Sequence, residues 1–326
     1  MLVSVVIPTY NRALKVLEAV DSVLAQGFGD FEIIVVDDGS TDDTGARLAA
    51  RAEPRLRYVR QANRKTASAR NAGVAAARGN LVSFLDSDDL WKPDKLGREV
   101  EFLARHPDIG AVFSDLEKHD GAEFTPSFMR ASAEFSRRLT RDRRADALVL
   151  SPREMRHHLL QEAPVMPTAF TIRRELFDAS GGFTSGLEPF EDWEFFLRLS
   201  RTVAFGYIDR PLAVLRISPD SIHRVHGVKG KRMMLGVLAR ERRLAGRDTE
   251  TRAAARKGIV RLHTRLGWHY RDSGRPLAAF GCYVRGFWDT REPMLLARAA
   301  ALCLPAALRE AVRAWRTPRS TPEPSA

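Results

Sequence analysis

The chain has 326 residues, of which 44% are hydrophobic and 29% are charged, and its formal net charge is +11. This composition is typical of a folded globular protein and excludes the intrinsically disordered class. The length allows one large domain or two smaller ones. Residues 224–326 carry 22 Lys and Arg against 8 Asp and Glu, whereas residues 1–223 carry 30 against 33. The basic tail favours contact with an anionic surface, either membrane lipid or nucleic acid. The alternative is that its arginines simply form a solvated face.

The cysteines and the apolar runs bear on the cellular compartment. Cys282 and Cys303 have neither metal-site spacing nor the pattern of a disulfide framework, which favours a reducing environment. The N-terminus lacks a basic region, and Pro8 interrupts its apolar run too early for a signal peptide. No window of 18 apolar residues exists, so we expect no membrane-spanning segment and a cytoplasmic protein.

Short apolar runs and amphipathic segments alternate through residue 115. Strands are predicted at residues 3–7, 31–36, 56–59, 81–85 and 111–114, and helices at residues 14–26, 40–52, 68–78 and 93–105. Pro8 is expected to end the first strand, and Ser40 with Asp43 to form a capping box. The alternation predicts a parallel α/β sheet, in which ligands bind beyond the carboxyl ends of the strands. The loops at residues 8–12, 37–43 and 86–89 should therefore converge on a nucleotide-type site.

The signals beyond residue 115 are weaker. Residues 116–163 are interpreted as a variable insert near an acceptor, in which an Arg-rich run is more often a solvated face than a binding patch. Ser151 and Glu154 predict another capping box. Strands are predicted at residues 167–172 and 212–216, and helices at residues 173–179 and 192–200. We divide the chain into residues 1–230, a basic helical region at 231–316 with a packed hairpin around Trp268, Tyr270, Ala278, Phe280 and Tyr283, and a disordered tail at 317–326.

Three carboxylates follow the apolar run at residues 81–85. Asp86, Asp88 and Asp89 lie within four positions, where like charges repel and burial penalises each of them. A divalent cation would remove that penalty, since Mg²⁺ and Mn²⁺ prefer one or two carboxylates together with substrate phosphates. Taken alone, the pattern fits a helix cap about equally well.

Six motifs, in one order, resemble those of the inverting family 2 glycosyltransferases of the GT-A fold. They are residues 6–12 (VIPTYNR), 34–42 (IVVDDGSTD), 68–73 (SARNAG), 85–89 (LDSDD), 181–183 (GGF) and 191–193 (EDW). The resemblance covers about residues 3–215 and implies a GT-A α/β domain, Rossmann-like, with a mostly parallel sheet flanked by helices. The helical C-terminal extension lies outside it. The implied activity is transfer of a sugar from a nucleoside diphosphate, most commonly UDP, with inversion at the anomeric carbon.

The resemblance also implies a donor site. Asp88 would hold Mg²⁺ or Mn²⁺, and Asp86 would lie near the ribose or in the second coordination shell of the metal. Asp38 would accept a hydrogen bond from the base. The remaining donor-site residues would flank the base or approach the diphosphate: Pro8, Thr9, Tyr10, Arg12 and Arg70. Positive charge at this place would stabilise the departing diphosphate.

On the acceptor side, the resemblance implies that Asp192 is the general base. Its place at a helix N-terminus would keep it ionised at neutral pH, although Asp192 could instead cap that helix. Glu191, Trp193 and Gly182 would face the acceptor, whereas an aromatic residue such as Trp193 is more often part of a core. His223 and His226 would either assist the metal or be exposed loop residues.

The expected partners follow from this activity. The acceptor would be a saccharide or a lipid-linked precursor of a cell-envelope or surface polysaccharide, and the basic helices would contact the membrane peripherally; nucleic acid is not expected. A non-catalytic nucleotide-sugar-binding scaffold is the alternative, disfavoured because Asp38, Asp86, Asp88 and Asp192 are all present. A nucleotidyltransferase usually has a Gly-rich basic phosphate loop, which residues 8–12 are not.

Overall fold

The computed structural model describes residues 1–121, 123–131, 135–136, 147–162, 164–217 and 227–303. Within these ranges the strands are β1 Val3–Thr9, β2 Phe31–Asp37, β3 Leu56–Arg60, β4 Leu81–Phe84, β5 Leu90–Trp91, β6 Ala111–Asp120, β7 Glu123–Thr125, β8 Ala147–Leu150, β9 Phe170–Arg173 and β10 Phe205–Ile217. The helices are α1 Ala13–Leu24, α2 Thr44–Ala49, α3 Lys65–Ala75, α4 Lys95–Arg105, α5 Phe128–Ala131, α6 Pro152–Gln161, α7 Arg174–Ser180, α8 Glu191–Leu199, α9 Gly227–Leu244, α10 Thr249–Asp272, α11 Pro276–Thr290 and α12 Pro293–Leu302, and a 3₁₀ turn spans Pro167–Ala169.

One sheet organises the first 217 residues, in the spatial order β3-β2-β1-β4-β9-β6-β10-β5, with β7 paired to β6 and β8 to β10. The long pairings β1 with β2, β2 with β3, β1 with β4 and β6 with β10 are parallel. β9 inserts antiparallel between β4 and β6. Because β1, β2 and β4 are parallel neighbours, the loops that follow them lie at the same edge of the sheet.

The sheet carries a core on each face. Side chains alternate along β1, so that Val6 joins one buried cluster while Val5 and Ile7 join the other. Helices α1 and α4 cover the second face, and α3, α6, α7 and α8 cover the first. The result is a three-layer α/β arrangement that buries the strands on both sides and leaves only their ends for chemistry.

Three local predictions were wrong. β1 continues through Pro8 to Thr9, because the parallel register with β2 extends to Asp37. The capping box at Ser40 does not form: α2 begins at Thr44, and the Ser40 hydroxyl instead accepts from the backbone N–H of Asn11 at 2.9 Å. The last strand is much longer than residues 212–216, since it passes an irregularity in register between Ile208 and Ala213. The capping box of Ser151 and Glu154 is confirmed at the start of α6.

Of the C-terminal helices, α9 and α10 pack on the first face of the sheet domain, and α11 and α12 pack on α10 and on each other. The predicted boundary at residue 230 falls inside α9, and the buried Met234 and Leu238 of this helix share a cluster with the sheet domain. A hairpin of α10 and α11 forms around Tyr270 and Tyr283, but Trp268 and Phe280 are 41% and 37% exposed and are not part of a packed core. Among the described residues, no helix is both long and apolar enough to cross a membrane.

Candidate active site

The loops after β1 and β2 are hydrogen-bonded to each other. The backbone N–H of Asp38 donates to the Thr9 carbonyl at 2.9 Å. Asn11, which adopts a positive φ of 50°, accepts the N–H of Thr41 with its side-chain oxygen at 2.7 Å. Tyr10 between them is 46% exposed, so its ring is available to a ligand at this edge of the sheet.

Asp38 anchors the first turn of α3. Its carboxylate accepts from the Gln61 amide at 2.7 Å and from the backbone N–H groups of Arg64 and Lys65 at 2.8 Å each. A carboxylate has about four acceptor positions, so three are occupied and one is left for a further donor. The predicted contact of Asp38 with a nucleotide base therefore stays a prediction that the geometry permits.

Two carboxylates of the acidic loop after β4 pair with arginine side chains. Asp88 forms an ion pair with Arg12 from the β1 loop, and Asp86 accepts from Arg70 of α3 at 2.6 Å. Asp89 is 1% exposed; one of its oxygens accepts from the Arg216 backbone at 2.9 Å, and the other has no hydrogen-bond partner within the described ranges. Burial raises the pKa of Asp89 well above its ordinary value, and the charges of Asp88 and Asp86 raise it further.

These carboxylates fit a divalent cation, because positive charge would relieve the mutual repulsion that helps to raise the pKa of Asp89. No group of three or more His, Cys, Asp or Glu side chains among the described residues is placed to hold a metal ion by itself. The fit is therefore to an ion such as Mg²⁺ or Mn²⁺ that one or two carboxylates share with substrate phosphates.

Arg70 is the centre of the cluster. It is 3% exposed and donates both to Asp86 and, at 2.9 Å, to Glu191 at the start of α8. Burial lowers the pKa of this guanidinium, but the charges of Asp86, Glu191 and Asp192 outweigh that effect and raise it above its ordinary value. One buried cation thus connects the acidic loop to the predicted catalytic pair.

Glu191 and Asp192 have pKa values that differ from the expectation for a helix N-terminus. Burial raises the pKa of Glu191 to about 7 and that of Asp192 to about 6, and the charge of Arg70 opposes the rise in both. The helix N-terminus therefore does not dominate, although Asp192 is still mostly ionised at neutral pH. The residue at the N-cap position is Phe190, whose side chain makes no capping hydrogen bond, and the Asp192 carboxylate accepts from the N–H of its neighbour Trp193 at 2.7 Å, so Asp192 is not the N-cap residue of this helix.

Two of the predicted acceptor-side residues have structural partners. Trp193 is 5% exposed and donates its indole N–H to the Leu159 carbonyl at 2.6 Å, so it lies in the core and cannot stack on a sugar. Gly182 has a φ of 68°, and a Cβ there would lie 2.7 Å from Asn71 Oδ1. Asn71 accepts from the Phe183 N–H and donates to the Phe183 carbonyl, at 2.9 and 2.8 Å, which fixes this loop to α3.

Sequence reasoning assigned no role to Asn71 or to Arg216. Asn71 lies within the motif at residues 68–73, and its place in this motif could have indicated a role. Arg216 lies outside every motif, yet it contacts the Asp88 carbonyl and pairs with Glu18. His223, His226 and the arginines at 137, 138, 141, 143 and 144 lie outside the described residues.

Comparison with known proteins assigns this arrangement to a family. The family model for glycosyl transferase family 2 matches residues 4–180, more than half of the chain. The chain belongs to glycosyl transferase family 2. An uncharacterized glycosyltransferase of Nostoc sp., alr2836, is 44% identical over 128 residues, which are 38% of this chain and 39% of that protein. The succinoglycan biosynthesis protein ExoO of Rhizobium meliloti is 45% identical over 100 residues, 30% of this chain and 29% of its own. The chain thus spans well under half of these relatives' lengths.

Solved structures show the same fold. S. aureus TarS 1–349 in complex with UDP-GlcNAc superposes with a TM-score of 0.61 at 18% identity, over 98% of this chain and 93% of that one. The mannosyltransferase PcManGT of Pyrobaculum calidifontis, in complex with GDP-Man and Mn²⁺, gives 0.58 at 23% identity, over 96% and 82%. The predicted family and the predicted GT-A fold are confirmed.

Proposed function

We propose that the chain is an inverting glycosyltransferase that moves a sugar from a nucleoside diphosphate, UDP being the first candidate, to an acceptor hydroxyl. The observation that carries this proposal is the bridge through Arg70. It joins Asp86 of the acidic loop to Glu191, the residue before Asp192. The loop that carries Asp88 and the helix start that carries Asp192 are therefore joined by one hydrogen-bonded bridge.

On the donor side, Asp88 would be the metal ligand, and Arg12, which pairs with Asp88, would contact the diphosphate. Mg²⁺ or Mn²⁺ bound at this loop would supply positive charge for the leaving group. Pro8, Thr9 and Tyr10 lie at the edge of the sheet where the base would bind, and the one remaining acceptor position of Asp38 would serve its N–H. The complexes of TarS with UDP-GlcNAc and of PcManGT with GDP-Man and Mn²⁺ support this class of donor but do not decide between the bases.

On the acceptor side, Asp192 would take the proton of the attacking hydroxyl. With a pKa of about 6 it is ionised at neutral pH, and it is a stronger base than an unperturbed aspartate. Glu191 positions this region through Arg70 rather than by contact with the substrate.

The acceptor would be a saccharide or a lipid-linked precursor of an envelope or surface polysaccharide, and the naming of ExoO for succinoglycan biosynthesis supports this class. The protein would act on the cytoplasmic side of the membrane, with peripheral contact through its basic C-terminal helices. The exposed apolar side chains of α11, such as Leu277 and Trp288, support that contact. Sedimentation with anionic vesicles at low salt tests it, and failure to bind would end this part of the proposal.

The donor site is tested by calorimetric titration of UDP, GDP, dTDP and CMP, each with and without Mn²⁺. We expect one nucleoside diphosphate to bind tightly in the presence of metal, and Asp88→Ala to weaken it while Asp192→Asn leaves it unchanged. Asp94→Ala, which removes an exposed carboxylate four positions before Arg98, is the matched control. Binding without turnover of any sugar nucleotide would favour the scaffold alternative, and no binding at all would refute the donor site.

A further inference from the structure

A groove in the C-terminal helices has no role in the proposed transfer. It has a volume of about 1150 Å³ and lies between α9, α10 and α11. On α9 its lining runs from Arg232 to Arg243, which corresponds to about 16 Å along the helix. The opposite face of α9, with Met234 and Leu238, packs on the sheet domain, so the groove lies on the face of α9 that is turned away from that domain.

The floor of this groove is apolar. Ile259 and Leu266 of α10 are 3% and 2% exposed, and Leu235 and Ala278 line the walls on the two neighbouring helices. Two glycines, Gly236 and Gly281, face open space, since a Cβ on either would meet no atom within 4 Å. The absence of side chains at these two positions leaves room along the groove that larger residues would occupy.

The rim of the groove is basic. The described lining residues include five arginines and a single acid, Asp289: the arginines are Arg232, Arg242, Arg243, Arg252 and Arg285. The Asp289 carboxylate lies 3.2 Å from His263 Nε2, and Arg242 contacts the Asp289 carbonyl rather than the carboxylate. Arg243, Arg252 and Arg285 are exposed and form no ion pair with any described residue. Their charge is therefore available to a ligand.

We propose that this groove binds an anionic amphiphile that carries a phosphate group, with its chain on the apolar floor and its phosphate on Arg243 and Arg285. A guanidinium pairs with phosphate in a bidentate manner, and an aliphatic chain gains by leaving water, so the two halves of the groove recognise the two halves of one molecule. Charge complementarity disfavours two other occupants. Residues 304–326 carry four arginines against two glutamates, and a second copy of the chain that docked through this same groove would bring the same basic surface.

The proposal is tested by calorimetry with dodecyl phosphate, below its micelle concentration, against inorganic phosphate and dodecyl maltoside. We expect dodecyl phosphate to bind and the other two to bind at least tenfold more weakly, because each satisfies only half of the groove. Arg243→Glu with Arg285→Glu should weaken dodecyl phosphate by about tenfold or more, given the strength of charge-assisted hydrogen bonds. The control is Arg240→Glu with Arg247→Glu, which makes the same charge change on exposed arginines outside the groove and should leave binding within twofold.

A second pair of variants tests the floor without changing charge. Gly281→Leu should fill the groove and abolish binding, whereas Gly281→Ala should retain it; both residues favour a helix more than glycine does, so both variants should fold. Equal binding to these two variants would overturn the proposal. The proposal would also be overturned if the two charge-reversal pairs lost the same affinity for dodecyl phosphate, or if inorganic phosphate bound as tightly as dodecyl phosphate. Displacement of dodecyl phosphate by a duplex oligonucleotide would overturn it as well. None of these readouts involves sugar transfer, so the groove and the proposed activity can fail separately.

Discussion

The buried cation at the centre of the candidate site gives the sharpest prediction. Arg70→Met keeps the length of the side chain and removes the charge that faces Asp86 and Glu191. Arg70 and Glu191 are 3% and 5% exposed, so the glutamate cannot recover its solvation from water. Removing one partner of a buried ion pair costs about 3–5 kcal/mol of unfolding free energy, and we expect a loss approaching that range at about pH 8 and above, where Glu191 is mostly ionised.

The pH dependence of this loss separates electrostatics from packing. Burial raises the pKa of Glu191 to about 7, and the charge of Arg70 holds it down, so the pKa in the variant will be higher still. When the pKa of a carboxyl group is higher in the folded than in the unfolded state, the fold loses stability as the pH rises from the unfolded to the folded pKa. At a pH below its folded pKa, the carboxyl group is mostly protonated and neutral in the fold. The loss should therefore shrink to about 1–2 kcal/mol near pH 5.5, where the variant lacks the hydrogen bonds of Arg70 and its pair with the partly exposed Asp86.

Urea unfolding near pH 8 and pH 5.5 measures both quantities. The matched control is Arg98→Met, which removes the same side chain from an exposed pair with Asp94 on α4 and should cost about 0.3–0.5 kcal/mol at either pH. If Arg70→Met costs no more than this control, or loses the same amount at both pH values, Arg70 is not the electrostatic centre described above.

Three further predictions concern residues around this centre. Because the base must be ionised, kcat/KM should fall tenfold per unit below about pH 6, and Asp192→Asn should lower it by about a hundred- to ten-thousand-fold; a pH-independent rate would refute its role. Gly182→Ala should cost about 2 kcal/mol more than Gly181→Ala in thermal unfolding, since both have positive φ but only the first would strike a neighbouring side chain; equal costs would refute the contact. Trp193→Phe should cost about 1–3 kcal/mol through the lost indole hydrogen bond and leave nucleotide affinity unchanged, whereas a loss of affinity would place the ring at the substrate.

Local signals in the sequence predicted most of the sheet domain. The strands that bury both faces appear as short continuous apolar runs, and the loops after β1, β2 and β4 could be brought together because parallel neighbours end at one edge. The Ser151 capping box formed because its two partners lie three residues apart. At Ser40 the same pattern failed, because the Ser40 hydroxyl accepts a hydrogen bond from the backbone N–H of Asn11, which is 29 positions away.

Partners that are distant in sequence could not be predicted in this way. Arg70 and Glu191 are 121 positions apart, and Arg216 reaches Asp88 across 128, with no local pattern to pair them. The raised pKa values of Glu191 and Asp192 follow from burial that only the tertiary structure creates. The helix N-terminus, which the sequence does show, favours the charged form by only about 0.3–1 kcal/mol and is outweighed.

The two arginines of the site differ in a way that predicts how the donor is admitted. The side chain of Arg70 is 4% exposed and pairs with two acids, so it has no freedom to change partners, whereas the side chain of Arg12 is 20% exposed and, among the described residues, forms an ion pair with Asp88 alone. We expect an incoming diphosphate to draw Arg12 away from Asp88. The Asp88 carboxylate would then be free to bind the metal ion. Arg12→Met should then strengthen the binding of Mn²⁺ measured without nucleotide. The same variant should weaken the binding of a nucleoside diphosphate measured with Mn²⁺ present, and calorimetry can measure both affinities. Arg47→Met, which breaks an exposed pair with Asp43, should change neither. If Arg12→Met weakens Mn²⁺ alone as much as it weakens the nucleotide, the arginine supports the metal site instead of competing for it.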